Sequence, residues 1–158
     1  MKRAVFLAGV CAFFCCVYLA SCGKYEEGPL ISLTSPQKRM YETRILESYT
    51  VDGVDSMDMF YDSLGLRFEF FYDYVNSQDI CRITGQRKDG VDGILSWRWT
   101  LKDNDEILYV TNAGATLTGI PPINLNMEWE ILRLTRKDLK IRTRYNEKEY
   151  IISLGPFN

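Results

Sequence analysis

The sequence contains no histidine, and that absence excludes more chemistry than any residue present. Without imidazole there is no Ser-His-Asp or Cys-His nucleophile system, no His-ligated zinc and no side chain that titrates near neutral pH unperturbed. An excess of one charge is also missing. The 19 basic and 21 acidic residues leave a net charge of −2, whereas a nucleic-acid binder should carry a strongly basic face. There is no Gly-rich phosphate loop, no G-x-S-x-G turn and no C-x-x-C beyond the N-terminal segment. Asp52, Asp55, Asp58 and Asp62, and separately Asp103 with Asp105, lack the loop pattern of a calcium site. No metal centre, no cofactor, no catalytic residue and no nucleic-acid partner is therefore expected.

The five cysteines are unevenly placed. Cys11, Cys15, Cys16 and Cys22 fall in the first 22 residues, where Lys2 and Arg3 precede an uncharged run over 4–20. A charged head and an apolar body are the marks of a secretory signal. The run is slightly short for a membrane helix of about 20 residues, and no second run of that length follows. Leu19-Ala20-Ser21-Cys22 resembles a bacterial lipobox, which implies cleavage before Cys22 and acylation of its thiol. Ordinary cleavage after Ala20 or Ser21 is the competing reading, and it would leave Cys22 a loose thiol. Two or three acyl chains anchor stably, at about 0.8 kcal/mol per buried methylene, whereas one anchors marginally. The expected organisation is a leader over 1–21, a tether over 22–35 and one domain over 36–158.

In Gly23-Lys24-Tyr25-Glu26-Glu27-Gly28-Pro29, the Lys and paired Glu resemble the export tag of surface lipoproteins of Bacteroidota. That implies an outer-membrane, surface-exposed location, although a plain solvated linker fits the same residues. Loss of the leader removes two of the 19 basic residues and none of the 21 acidic ones, moving the net charge from −2 to −4. Such a domain should stand off an anionic membrane on its tether. Cys81 has no disulfide partner left, and its mixed apolar and polar surroundings suit a buried small hydrophobe.

Periodicity supplies the fold class. Ser35-Pro36 opens a helical turn through Arg44, with Ser35 as cap and Pro36 at the first helical position. Beyond it the period drops to two, with Ile45, Glu47, Tyr49 and Val51 on one face up to a turn at Asp52-Gly53. Leu66, Phe68, Phe70, Tyr72 and Tyr74 share a face, as do Leu95, Trp97, Trp99 and Leu101. A turn at 102–105 makes the latter strand half of a hairpin with 106–111. The Gly/Pro-interrupted stretch 112–122 is the longest irregular segment; lids tend to sit in such loops, but a plain connection with Pro-stiffened ends is the favoured reading. Met127, Trp129 and Ile131, then Leu139, Ile141, Thr143 and Tyr145, then 150–154, form an antiparallel meander.

About eight strands and almost no helix indicate an all-β sandwich or an antiparallel up-and-down barrel with a short N-terminal helical turn. Phe68, Phe70, Tyr72, Tyr74, Trp97, Trp99, Met127 and Trp129 are the expected inward set. They are bulky enough to fill a barrel unaided, or they line a pocket for a small apolar or amphiphilic ligand. The row Lys140, Arg142 and Arg144 is either an anion-binding stripe or a solvated face that guards against edge pairing.

With the lipobox and acidic tag, Gly28-Pro29-Leu30-Ile31-Ser32-Leu33, Tyr49-Thr50-Val51-Asp52-Gly53-Val54-Asp55 and Trp129-Glu130-Ile131-Leu132-Arg133-Leu134-Thr135 with Leu139-Lys140-Ile141 resemble the lipocalin-like lipoproteins of Bacteroidota. The resemblance spans most of 22–154. It implies a lipocalin-like barrel that a V-D-G turn opens and a W-x-I-x-x-L-T hairpin closes. It carries over no catalytic residue, since the group shares no assigned reaction. The region near Thr43-Arg44-Ile45 lacks the G-x-W signature with which true lipocalins begin. Two roles are compatible with these features: a lipid-anchored barrel holding a small ligand at the envelope, or an accessory subunit whose exterior docks an envelope protein.

Overall fold

The computed structural model describes Tyr25 and residues 33–59, 66–86, 92–115 and 126–157. The leader, Cys22 and Asp62 lie outside them. A short helix, α1 (Pro36–Met40), leads into nine strands: β1 (Thr43–Val51), β2 (Val54–Asp55), β3 (Arg67–Asp73), β4 (Gln78–Gln86), β5 (Asp92–Lys102), β6 (Ile107–Ala115), β7 (Met127–Leu134), β8 (Leu139–Tyr145) and β9 (Lys148–Pro156). Neighbours in sequence pair antiparallel, β2 is a short arm on β1, and β1 pairs again with β9. That last pairing closes an eight-stranded up-and-down barrel and removes its sheet edges.

Alternation sets which side chains face inward. Leu95, Trp97 and Trp99 of β5, Leu139, Ile141 and Thr143 of β8, and Tyr150, Ile152 and Leu154 of β9 are all buried. The hairpins that join such strands need left-handed backbone. Asp52 and Gly53 adopt φ of 51° and 76°, and Asn146 and Glu147 adopt 50° and 63°, the positive pair that matches strand twist in a two-residue turn.

Three expectations are corrected by the geometry. Between Leu46 and Ser48 the register of β1 against β9 slips by one residue, so Leu46 and Tyr49 both point inward and strict alternation fails. Tyr72 and Tyr74, expected inside, are 37% and 86% exposed. The reason is register: β1 begins at Thr43 opposite Glu69, so the far part of the β3–β4 hairpin runs past the barrel wall. The helix stops at Met40, short of Arg44, and its N-terminus is not capped by the Ser35 side chain; the Ser35 carbonyl instead accepts the Arg39 N–H at 3.1 Å. In addition, β6 continues to Ala115, into the stretch read as irregular, while 116–122 falls outside the described residues.

The two barrel ends differ. Turns 74–77, 103–106 and 135–138 share one end with α1, whereas connections 52–66, 87–91, 116–126 and 146–147 share the other. The first is plugged. Met40 is fully buried, and so is Arg44, whose guanidinium donates to the carbonyls of Met40 (2.9 Å), Arg39, Thr135 (3.3 Å) and Arg136 (3.5 Å). Arg39 adds a bond of 2.6 Å to the Leu134 carbonyl. The receiving turn is itself braced, since the Thr135 hydroxyl accepts the N–H groups of Lys137 (3.1 Å) and Asp138 (2.8 Å). Burial pulls the Arg44 pKa down to about 10, with the charges of Glu42 and Asp138 partly offsetting it, so the group stays cationic at neutral pH.

Arg44→Met keeps most of the side-chain volume and removes the guanidinium donors to the carbonyls of Arg39 and Met40, the latter keeping the Glu42 N–H at 2.7 Å. The expected loss is about 3 kcal/mol, read as a lower urea midpoint at unchanged slope. A midpoint equal to that of the parent protein would show that the guanidinium does not hold the plug.

Candidate functional site

The wall of the lumen is aromatic on β3 and β5. Phe68 meets Trp97 edge-on at 5.9 Å, Phe70 meets Trp99 at 6.0 Å, and Tyr41 from the α1–β1 link meets Trp99 at 5.8 Å. Of the inward set expected from sequence, Phe68, Phe70, Trp97, Trp99 and Trp129 lie in the core with at most 3% exposure. Met127 is half-buried against it. Tyr72 and Tyr74 are not brought in; their rings contact each other at 5.0 Å outside the barrel.

Two lumen groups are chemically incomplete. The indole nitrogens Nε1 of Trp99 and Trp129 are buried and have no hydrogen-bond partner, and Arg44 Nε is in the same state. A buried donor left unmade costs about 1–3 kcal/mol, so these N–H groups favour any acceptor that reaches them. Cys81 sits opposite Phe70 on β3 and Trp97 on β5, and burial pushes its thiol well above the usual range. It is packing, as its surroundings in the sequence suggested, and is not a poised nucleophile.

Toward the other end the lining loosens. Val51, Met57, Met127 and Tyr145 are half-buried side chains resting on the core, and the buried Thr143 donates its hydroxyl to the Glu128 carbonyl at 2.8 Å. The strands there lead into 60–65, 87–91 and 116–125, outside the described residues. Connections 52–66, 87–91 and 116–126 at this end contain more residues than the four-residue turns of the plugged end, while 146–147 is a two-residue turn.

Grooves formed by described residues on the outer surface are open and polar. One of about 410 Å³ runs between Ile107, Glu128, Glu130, Arg142 and Arg144. Arg142 donates through Nε (3.0 Å) and Nη2 (2.8 Å) to Glu130 Oε2, and Arg144 faces Glu149 at 3.9 Å. The cationic row of β8 is thus matched by carboxylates on its neighbours, which suits a solvated face better than an anion stripe. Asp52 accepts the Glu149 N–H at 2.8 Å and Asp55 the Met57 N–H at 3.0 Å, so these carboxylates fix turns. Among the described residues no three potential metal ligands gather, and no helix is long and apolar enough to cross a membrane.

Sequence reasoning missed the residues that plug the barrel: Tyr25, Arg39, Met40 and Arg44. Arg44 had a signal, since it lies in two-residue phase with Leu46 ahead of the bulge. Tyr25 had none, embedded as it is among charged and small residues.

No protein-family model matches the chain, and no curated protein matches it. Solved structures do. A lipocalin-like protein from Bacteroides uniformis ATCC 8492 superimposes with a TM-score of 0.51 at 14% identity, over 75% of this chain and 99% of that one. An uncharacterised protein from Bacteroides eggerthii DSM 20697 gives 0.44 at 13% identity, over 72% and 98%. The first likeness establishes a lipocalin-like barrel fold.

Burial, in each case the largest cause, raises the pKa of Tyr25, Tyr41 and Tyr49 to about 12; for Tyr41 the hydrogen bond to Asp79 adds to it. A phenol whose folded pKa lies above its unfolded value of 10 stabilises the fold below pH 10, and that contribution is lost as pH rises toward 12. Arg44, with a lowered pKa, works in the opposite sense over the same range. Three phenols outweigh one guanidinium. Phenolate absorbance at 295 nm should therefore leave these tyrosines silent near pH 10 and bring them in together with loss of tertiary structure toward pH 12. Full, reversible ionisation by about pH 10.5 with native fluorescence retained would contradict their burial.

Proposed function

We propose that this chain is a non-catalytic, lipid-anchored envelope lipoprotein whose barrel takes up a small amphiphilic molecule through the end opposite the plug. The observation that carries the reading is the pair of unpartnered indole N–H groups, Trp99 and Trp129, within an otherwise apolar interior. Such a lumen favours a ligand with a hydrocarbon or ring body and one or two acceptor oxygens, the class of fatty acids and sterols. The lipocalin-like fold supports the same reading. Leu19-Ala20-Ser21-Cys22 after the uncharged run supports acylation of Cys22, and a residue other than Asp after that Cys supports outer-membrane sorting. An accessory role in docking an envelope protein is the second reading, favoured by the exposed Tyr74 and Val75.

Native mass spectrometry of residues 23–158 should show a co-purifying mass, and fatty acids or sterols should shift tryptophan fluorescence. Trp129→Phe keeps an aromatic ring while deleting the donor, and should weaken binding about tenfold, the equivalent of 1.4 kcal/mol. Absence of a bound mass, together with fluorescence unmoved by both lipid classes, would falsify the ligand reading.

Anchoring is read separately. Cys22→Ala should move the protein from the membrane fraction to the soluble fraction, with loss of the acyl mass. An unchanged membrane fraction in that variant would refute the lipid anchor.

A further inference from the structure

The residues nearest the proposed lipid anchor are tied to one particular end of the barrel. Tyr25 is only 4% exposed. Its ring lies 5.6 Å from the guanidinium carbon of Arg39, and its hydroxyl feels the charges of Asp105 and Glu106 in the β5–β6 turn. All of these belong to the plugged end. Cys22 precedes Tyr25 by three residues, so even a fully extended chain keeps their Cα atoms within roughly 11 Å. The segment expected to act as a long tether thus offers little slack at its acylated end.

That end exposes several large hydrophobic side chains. Among the described residues, the exposed large hydrophobics are Leu33, Val54, Tyr72, Tyr74, Val75 and Phe157. Only Val54 lies at the loop-rimmed end. Tyr72, Tyr74 and Val75 belong to the β3–β4 hairpin that overruns the wall, Phe157 follows β9, and Leu33 precedes α1, whose Gln37 amide reaches Asp79 at the base of that hairpin (3.2 Å). The hairpin turn is preorganised. Asp73 Oδ1 accepts the Val75 N–H at 2.9 Å and Asp73 Oδ2 the Asn76 side-chain amide at 2.7 Å. Tyr74 and Val75 are held outward at 86% and 91% exposure by these bonds, without further ordering. Charges around them are mixed, with Lys38, Lys102 and Lys137 beside Asp73, Asp103 and Asp105, so apolar contact rather than net attraction defines the surface.

We infer that the plugged end is a membrane-facing surface, seated on the bilayer by Tyr74 and Val75 while the loop-rimmed end points away. The inference rests on acylation of Cys22 as proposed above and adds the orientation. A bilayer interface suits an aromatic with a polar tip beside a small hydrophobe, at the distance the short link to Cys22 dictates. The mouth of the lumen then opens roughly 25 Å or more from the lipid headgroups, given the strand rise and tilt of such a barrel. A ligand would be received from the side away from the anchoring membrane.

The test uses full-length protein processed in cells, its acylation verified by mass, and reconstituted in phosphatidylethanolamine/phosphatidylglycerol vesicles containing nitroxide-labelled lipid. Fluorophores are placed singly at Val75→Cys and at Val54→Cys; the native Cys81 is fully buried and should not label. Quenching by the nitroxide should be severalfold stronger at 75 than at 54, and Tyr74→Ser should reduce it at 75. Equal quenching at both sites, or stronger quenching at 54, in acylated protein overturns the orientation alone. A label at 75 shielded from aqueous iodide yet untouched by the nitroxide means that a protein covers this end, which also overturns it. Absence of the acyl mass overturns the anchor and the orientation together.

Discussion

A guanidinium shut away from water must find its acceptors inside the protein, and Arg44 finds them in the carbonyls that end α1 and in the β7–β8 turn. Those carbonyls need the donor as much as it needs them, because the last carbonyls of a helix have no partners within it. One side chain thus satisfies two segments far apart in sequence and fixes both over the same end of the barrel. The cation also lies over the Phe70 ring at 5.7 Å, which joins the plug to the aromatic wall above it. Arg39 repeats the arrangement one step outward, bonding Leu134 and meeting Tyr25. Closure of this end is therefore a polar construction within an apolar barrel.

Closure at one end uses α1 and a short turn that Arg44 binds together, and the longer connections fall at the other. An up-and-down barrel of eight strands places alternate connections at alternate ends, so the division follows from the order of short and long links along the chain. In this chain 74–77, 103–106 and 135–138 are short at one end, while at the other 52–66, 87–91 and 116–126 are longer and 146–147 is a two-residue turn. Among the described residues, exposed large hydrophobics are mostly at the plugged end, where Tyr25 ties down the chain that follows Cys22. The two ends thus differ in hydrogen bonding and in the order of short and long connections.

Much of this was legible in the sequence and some of it could not be. Alternation in Leu95-Trp97-Trp99 and Leu139-Ile141-Thr143 shows through because each strand has one buried and one wet face. The Asp52-Gly53 turn shows through because few residue pairs adopt two consecutive positive φ values. The slip between Leu46 and Ser48 is silent: a bulge changes the phase of a strand without any residue type that must accompany it. Tyr72 and Tyr74 continue the apolar rhythm of Phe68 and Phe70, yet whether a partner strand extends that far depends on register, which one strand cannot encode. Arg44 misled for a related reason, as charge is ordinarily a mark of the surface, and its acceptors come from residues 39–40 and 135–136.

The interior argues for more than packing. A barrel that only needed filling could place Phe where Trp99 and Trp129 stand, since benzene and indole rings present similar apolar faces and Phe brings no donor to satisfy. The indole N–H is a cost in a dry core unless something accepts its hydrogen bond. The Tyr41 hydroxyl donates to Asp79 at 2.6 Å and Phe68 and Phe70 have no polar atom, whereas the buried Tyr25 hydroxyl at the plugged end also lacks a partner. Two donors are left open in the same interior, Trp99 on β5 and Trp129 on β7, and the proposed acceptor-bearing amphiphile would satisfy them. The plug closes one end of the barrel, and toward the other the half-buried Val51, Met57, Met127 and Tyr145 rest on the core.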